Sequence, residues 1–196
     1  MKNPIKSVIA LLIRFYFGYY FLNAGIGKFQ TGFNGDSVGG FLKGGLAQTA
    51  EAMAAAGKTG KANVTDTWGW LISHVFLPNA DIMAVAVKTG EVMIGLGLIL
   101  GCFTTLAAFF ALTFFALTMN FSFLLSGTVS SNPQMVIGFL FILYFAAASG
   151  AIGVDRFFMH KFVDKFPILN KGFLRHLFPV DAGHRAAIKN TINQAG

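Results

Sequence analysis

Apolar side chains fall in four blocks along the chain, at about 5–26, 82–101, 104–125 and 133–154. Between Val92 and Val154, sixty-three residues pass without one Asp, Glu, Lys or Arg. Each block is close to the length, about 20 residues, that a helix needs to cross a hydrocarbon core. The short alternating segments of a barrel do not occur in the pattern, so the blocks predict helices that satisfy their backbone groups internally. Asn132-Pro133 supplies an N-cap and a proline at the first position of the fourth helix. Gly101-Cys102-Phe103-Thr104-Thr105 is the one break between the second and third blocks, which predicts a tight helical hairpin. The expected fold class is all-α: an integral membrane four-helix bundle over residues 1–156, with a long extracytoplasmic segment between spans one and two. Residues 157–196 form a basic-aromatic tail.

That long segment, Gly27 to Asp81, carries more pattern than a linker needs. Phe41 to Ala56 is rich in small residues and compatible with helix. Trp68-Gly-Trp70-Leu-Ile-Ser-His74 leads to Phe76-Leu-Pro78-Asn79, which predicts a short interfacial or re-entrant helix ended by proline. Tryptophan favours the headgroup level because its ring is apolar while its N–H seeks a partner. The segment reads either as a membrane anchor or as a lid over a ligand pocket. In the tail, Phe157-Phe158, Lys161-Phe162, Lys165-Phe166, Phe173, Arg175 and Phe178 alternate rings with cations. Such a stretch suits an anionic leaflet. His160, His176 and His184 are too scattered for metal-ligand spacing and read as solvated or interfacial.

Composition narrows the picture. Hydrophobic residues make up 55% and charged residues 12%, about half the charged share of a soluble domain. The net charge of +7 belongs to residues that mostly flank apolar blocks rather than to a soluble module, which argues against a nucleic-acid partner. The basic residues after Asp155, with Lys2 and Lys6, place both termini in the cytoplasm of a multi-pass protein by the positive-inside rule. The start of the chain has a long apolar run with no small-residue cleavage site, so it reads as an uncleaved span. Cys102 is the one cysteine, which excludes an internal disulfide, a C-x-x-C redox pair and a cysteine metal cluster.

Charges inside apolar blocks are costly, by roughly 2.5–3.5 kcal/mol on insertion scales, and point to function. Arg14 lies about 13 Å from the inner end of span one and Glu91 about 13 Å from the outer end of span two. Both then come near mid-depth, and an Arg14–Glu91 ion pair is expected because each charge alone is unfavourable. Lys88 shares a face with Glu91 by i,i+3 spacing. Lys28 is nearly four turns beyond Arg14 on the same face, and Asn120 of span three reaches the level of Lys88. Asn23 points to the opposite side. Arg14, Lys28, Lys88, Glu91 and Asn120 are expected to line a polar cleft open to the outside. Three cations against one carboxylate favour an anion or a polarised carbonyl as occupant, whereas a purely structural network would be closer to neutral. Gly97 with Gly101, and Ala146 with Gly150, are small-residue pairs suited to packing seams. Asp155-Arg156 reads as a membrane-boundary pair.

The order of several motifs resembles the DoxX family of bacterial four-helix membrane proteins. These are Arg14-x-x-x-Gly18, Asn23-Ala-Gly-x-Gly-Lys28-Phe, Phe76-Leu-Pro-Asn-Ala80, and Gly90-Glu91 followed by Gly95-Leu-Gly97-Leu-Ile-Leu-Gly101. Asn120-Phe, Gly127-Thr-x-Ser-x-Asn132-Pro133 and Gly153-Val-Asp155-Arg156 continue the series, so that the likeness covers about residues 8–156. The long outer segment is similar to that of the DoxD-like small subunit of thiosulfate:quinone oxidoreductase. The resemblance implies a bacterial plasma-membrane redox subunit, electron transfer from thiosulfate to a quinone, and a second protein subunit.

Three functions are thus open. In the first, Glu91 and Arg14 act as catalytic groups of a quinone-interacting oxidoreductase subunit, with Lys88, Asn120, Lys28, Trp68, Trp70 and His74 binding quinone or substrate. Lys28 would attract an anionic donor such as thiosulfate. No haem pair, flavin fingerprint or metal motif is present in the sequence, so quinone is the one cofactor expected. In the second, the chain is a non-catalytic scaffold whose Trp-bearing outer segment docks a partner. The third, a small transporter or lipid-handling protein, is disfavoured by four spans without an inverted repeat or a broken helix.

Overall fold

The computed structural model describes residues 4–60, 62, 64–117, 132–144 and 153–180. Every named element among these residues is helical: α1 (Pro4–Gln30), α2 (Gly35–Leu46), α3 (Ala50–Ala55), α4 (Asp66–Leu71), α5 (Ala80–Leu100), α6 (Thr104–Phe110), α7 (Asn132–Tyr144), α8 (Asp155–Lys165) and α9 (Leu174–Leu177). A π segment, Ala111–Leu117, prolongs α6. Two helical stretches, Ser7–Gln30 and Asp66–Leu100, are long and apolar enough to cross a membrane. Their surfaces have the character lipid requires. On α1, Ile5, Leu12, Tyr16 and Tyr19 face outward at helical spacing, as do Ile82, Val85, Met93 and Leu100 on α5. The charged Arg14 and Glu91 point inward, the reverse of a water-soluble helix pair.

Glycine sets how α1 and α5 meet. A Cβ at Gly95 would lie 2.5 Å from the Leu22 amide nitrogen, one at Gly25 would lie 2.8 Å from that of Val92, and one at Gly18 would meet Ile99 at 2.8 Å. Residue pairs 18/99, 22/95 and 25/92 have the same sum, so the helices run antiparallel in one fixed register over three levels. Small residues allow this backbone approach where lipid offers no hydrophobic drive for association. Around the seam, Phe17 and Phe21 of α1, Ile94 and Leu98 of α5, Ala108 of α6, Phe115 of its π extension, and Phe139 and Ile142 of α7 form one core. Phe21 meets both Phe115 and Phe139 edge-on, at 5.3 and 5.6 Å. Of the expected seam pair, Gly97 lies at a close approach to Ala107 of α6, and Gly101, in the left-handed region at φ 68°, ends α5.

The hairpin between α5 and α6 is as tight as its five residues suggest, and a carboxylate holds it. Asp155 accepts the Phe103 and Thr104 amide hydrogens at 2.6 and 2.8 Å, while its own amide donates to the Gly101 carbonyl at 2.8 Å. Asp155 is thus turned to the start of α6 rather than towards Arg156. Phe103 has φ 51°, a conformation costing about 1–2 kcal/mol for a residue with a Cβ. The capped amides offset that cost. So does the surrounding ring cluster, with Phe158, Phe162 and Phe178 at 5.1, 5.2 and 6.0 Å from Phe103. Residues 157–180 are therefore folded under the hairpin, with Met159, Val163 and Val180 at the centre of their own small core.

The outer segment is also folded. Asn34 caps α2 in a reciprocal box with Ser37, and Thr49 and Thr65 cap α3 and α4. Val38, Leu42, Val64, Ile72 and Ala84 form its core. Pro78 does not end a helix as expected. A π turn (Ile72–Phe76) and a 3₁₀ turn (Leu77–Asn79) carry α4 into α5 without a break. Proline lacks an amide hydrogen, so the backbone changes its hydrogen-bond spacing there. The Asn79 side chain donates to the Val75 carbonyl at 2.7 Å, which helps satisfy that turn.

Candidate functional site

Glu91 sits one helical turn after Lys88 on α5, and the register fixes its neighbours. Counting along α1, Glu91 lies level with Ile26, at the C-terminal end, and not with Arg14. The two are twelve residues apart along the axis, about 18 Å. Glu91 is clasped by Lys28 instead: its Oε1 and Oε2 accept from one ammonium at 2.8 and 2.6 Å. The expected Arg14–Glu91 pair is therefore replaced by Lys28–Glu91. Depth counted from the ends of the apolar blocks misplaces the two charges, because the blocks overhang one another by several residues. The Glu91 side chain is buried, and that of Lys28 keeps 24% of its surface. A Cβ at Gly25 would lie 3.1 Å from that of Glu91, so glycine is what lets the carboxylate stem lie against α1.

Lys88 completes the cluster from above. Its ammonium donates to the Phe33 carbonyl at 3.3 Å and lies 5.1 Å from the Phe29 ring centroid. Lys28 lies 5.7 Å from the Phe33 ring. Two cations, one carboxylate and two aromatic rings thus gather where α1 ends, against the side of α5. Phe33 also packs on the outer core, joining this cluster to the folded segment above it. Such a set can donate hydrogen bonds to an anion or carbonyl and exchange a proton through the carboxylate.

A family model described as DoxX matches residues 9–125, more than half of the chain. The chain belongs to the DoxX family. No curated protein and no solved structure matches it. The matched region of this DoxX protein contains Arg14, Lys28, Lys88 and Glu91, together with the whole outer segment. Family membership and the apolar-outward helices make it a membrane protein with transmembrane helices.

The other expected site residues are distributed elsewhere. Arg14 is 1% exposed and, by the same register, lies level with position 103 at the α5–α6 hairpin. Trp68 packs into the outer core, its ring 5.6 Å from that of Phe76. Trp70 and His74 stack on each other at 5.0 Å on the exposed face, with His74 Nδ1 2.9 Å from the Ser73 hydroxyl. Asn23 is exposed. Asn120, the Ala146–Gly150 pair and His184 lie outside the described residues. The roles of Phe29, Phe33 and Gly25, and the capping by Asp155, are not foreseeable from the apolar pattern. The seven-residue spacing of Gly18 and Gly25 is the sequence signal that points to the seam.

Proposed function

We propose that this DoxX protein is a quinone-interacting membrane subunit of a bacterial redox complex, of the thiosulfate:quinone oxidoreductase kind. The observation that carries the reading is the Lys28–Glu91 clasp with Lys88 one turn away, between aromatic rings, on a helix pair with lipid-facing flanks. Lipid-soluble quinones reach a site by the membrane, and a quinone carbonyl needs a donor as it gains charge. Lys88 and Lys28 supply ammonium donors, and Glu91 supplies or accepts a proton. Arg14, about 18 Å from Glu91 along the helix axis, lies outside this cluster. The electrons come from an anionic donor handled by a second subunit.

The proposed setting is the bacterial plasma membrane, with four spans, both termini in the cytoplasm and the Lys28–Glu91 cluster near the outer leaflet. Purified protein in nanodiscs, titrated with menaquinone and ubiquinone, tests the proposal. It expects saturable binding that Glu91→Gln and Lys88→Ala each weaken about tenfold, the effect of losing one charged hydrogen bond of about 1.4 kcal/mol. Absence of saturable binding, or binding indifferent to both substitutions, rejects it. The exposed Trp70–His74 stack favours a second reading, a scaffold docking a partner through the outer segment. Under that reading Trp70→Ala lowers partner co-purification and leaves quinone binding unchanged.

A further inference from the structure

We propose that α8 and the turn after it form a docking face for acidic lipid headgroups, on the leaflet beside the α5–α6 hairpin. The folded stretch from 157 to 180 has two sides. One is spent on the hairpin, where Met159 and Val163 are buried and Phe158 and Phe162 surround Phe103. The other presents Phe157, Lys161 and Lys165 in one row at i,i+4 spacing. Phe157 is 78% exposed. Past the helix, Phe166, Ile168 and Phe173 remain exposed, with Lys171 among them.

Exposed rings in this number are unfavourable in water, and the cations between them select the occupant. Arg156, Lys161, Lys165 and Lys171 are exposed, and Asp164 is the acid beside them. Asp155 is taken up by the α6 cap and does not offset this charge from outside. Lys165 lies 5.8 Å from the Phe166 ring, an arrangement with ring and ammonium side by side. Apolar rings that enter the acyl boundary while ammonium groups stay with phosphates describe an in-plane membrane segment. The location agrees, because Phe173 packs 5.5 Å from Phe109 of α6, so the segment is anchored where a spanning helix begins. This face is separate from the Lys28–Glu91 cluster and does not depend on the quinone reading.

The test uses full-length protein bearing a nitroxide at Ile168→Cys in a Cys102→Ser background. The protein is placed in nanodiscs of phosphatidylcholine alone, or with added phosphatidylglycerol. Power saturation compares collisions with oxygen, which partitions into lipid, and with a water-soluble nickel chelate. Phosphatidylglycerol is expected to raise oxygen contact and lower nickel contact, and high salt to reverse both. The triple variant Lys161→Glu, Lys165→Glu, Lys171→Glu should lose the response while melting unchanged in detergent, since all three side chains are exposed. A label equally wet in both lipid compositions overturns the proposal. So does a label shielded equally in both lipids and in detergent, which is the signature of a protein contact.

Discussion

Replacing Lys28 with methionine keeps the aliphatic stem and removes the ammonium that serves both oxygens of Glu91. The carboxylate then remains buried, its side chain 5% exposed, without its cation. Breaking a buried pair from one side costs about 3–5 kcal/mol. Here the lysine side keeps 24% exposure, so water offsets part of the loss and about 2–3 kcal/mol is expected. Glu91→Leu leaves a lysine that can bend towards the headgroups, for a smaller cost of about 1 kcal/mol. The double variant removes both charges and should fall within about 1 kcal/mol of the parent. The coupling is then about 3 kcal/mol. Equilibrium unfolding in mixed micelles, followed by Trp68 and Trp70 fluorescence, measures all four proteins. Arg14→Met provides the control: at about 18 Å it should add to Glu91→Leu without coupling. Additive Lys28 and Glu91 effects, or coupling of Glu91 to Arg14 instead, would refute the register on which the site rests.

The same geometry sets three more outcomes. Gly95→Ala should destabilise by about 2–3 kcal/mol, because the new Cβ meets the Leu22 backbone at 2.5 Å, whereas Gly27→Ala, with nothing within 4 Å, should be neutral or gain about 0.5 kcal/mol; thermal unfolding of the two variants compares them. Asp155→Ala should cost about 2–4 kcal/mol by leaving the Phe103 and Thr104 amides without their acceptor, and Asp155→Asn about half of that, read by the same assay. Burial first, and Asp155 second, push the Cys102 thiol above its ordinary range. The thiolate therefore forms only at higher pH, and iodoacetamide labelling at pH 8 should lag a free cysteine, with Asp155→Asn narrowing the gap.

What the sequence made legible was set by strong local signals. Runs of apolar residues placed α1 and α5, and the glycine and polar turn at 101–105 placed the hairpin. Glu91 stood out because a carboxylate bordering so long an uncharged run is costly unless a partner or a site holds it. Its partner was not legible. A shift of one helix along another leaves every apolar pattern intact, and only backbone contacts such as Gly95 against Leu22 decide the register. Helical spacing puts Lys28 on the correct face, but without the register it reads as the rim of an outer mouth. Pro78 misled for a related reason: proline removes one hydrogen bond, yet a π turn and the Asn79 side chain absorbed the change. Asp155 looked like a boundary charge because nothing local shows that residues fifty positions earlier offer it two amides.

The central claim is that a quinone head is held where α1 ends against α5. Native membranes photolysed with an azido-quinone, followed by mass spectrometry of the purified protein, test it most directly. Adducts are expected within residues 25–33 and 88–92, lost in Glu91→Gln. Adducts confined to the neighbourhood of Arg14 and the α5–α6 hairpin, or none above an azide-free control, would contradict it.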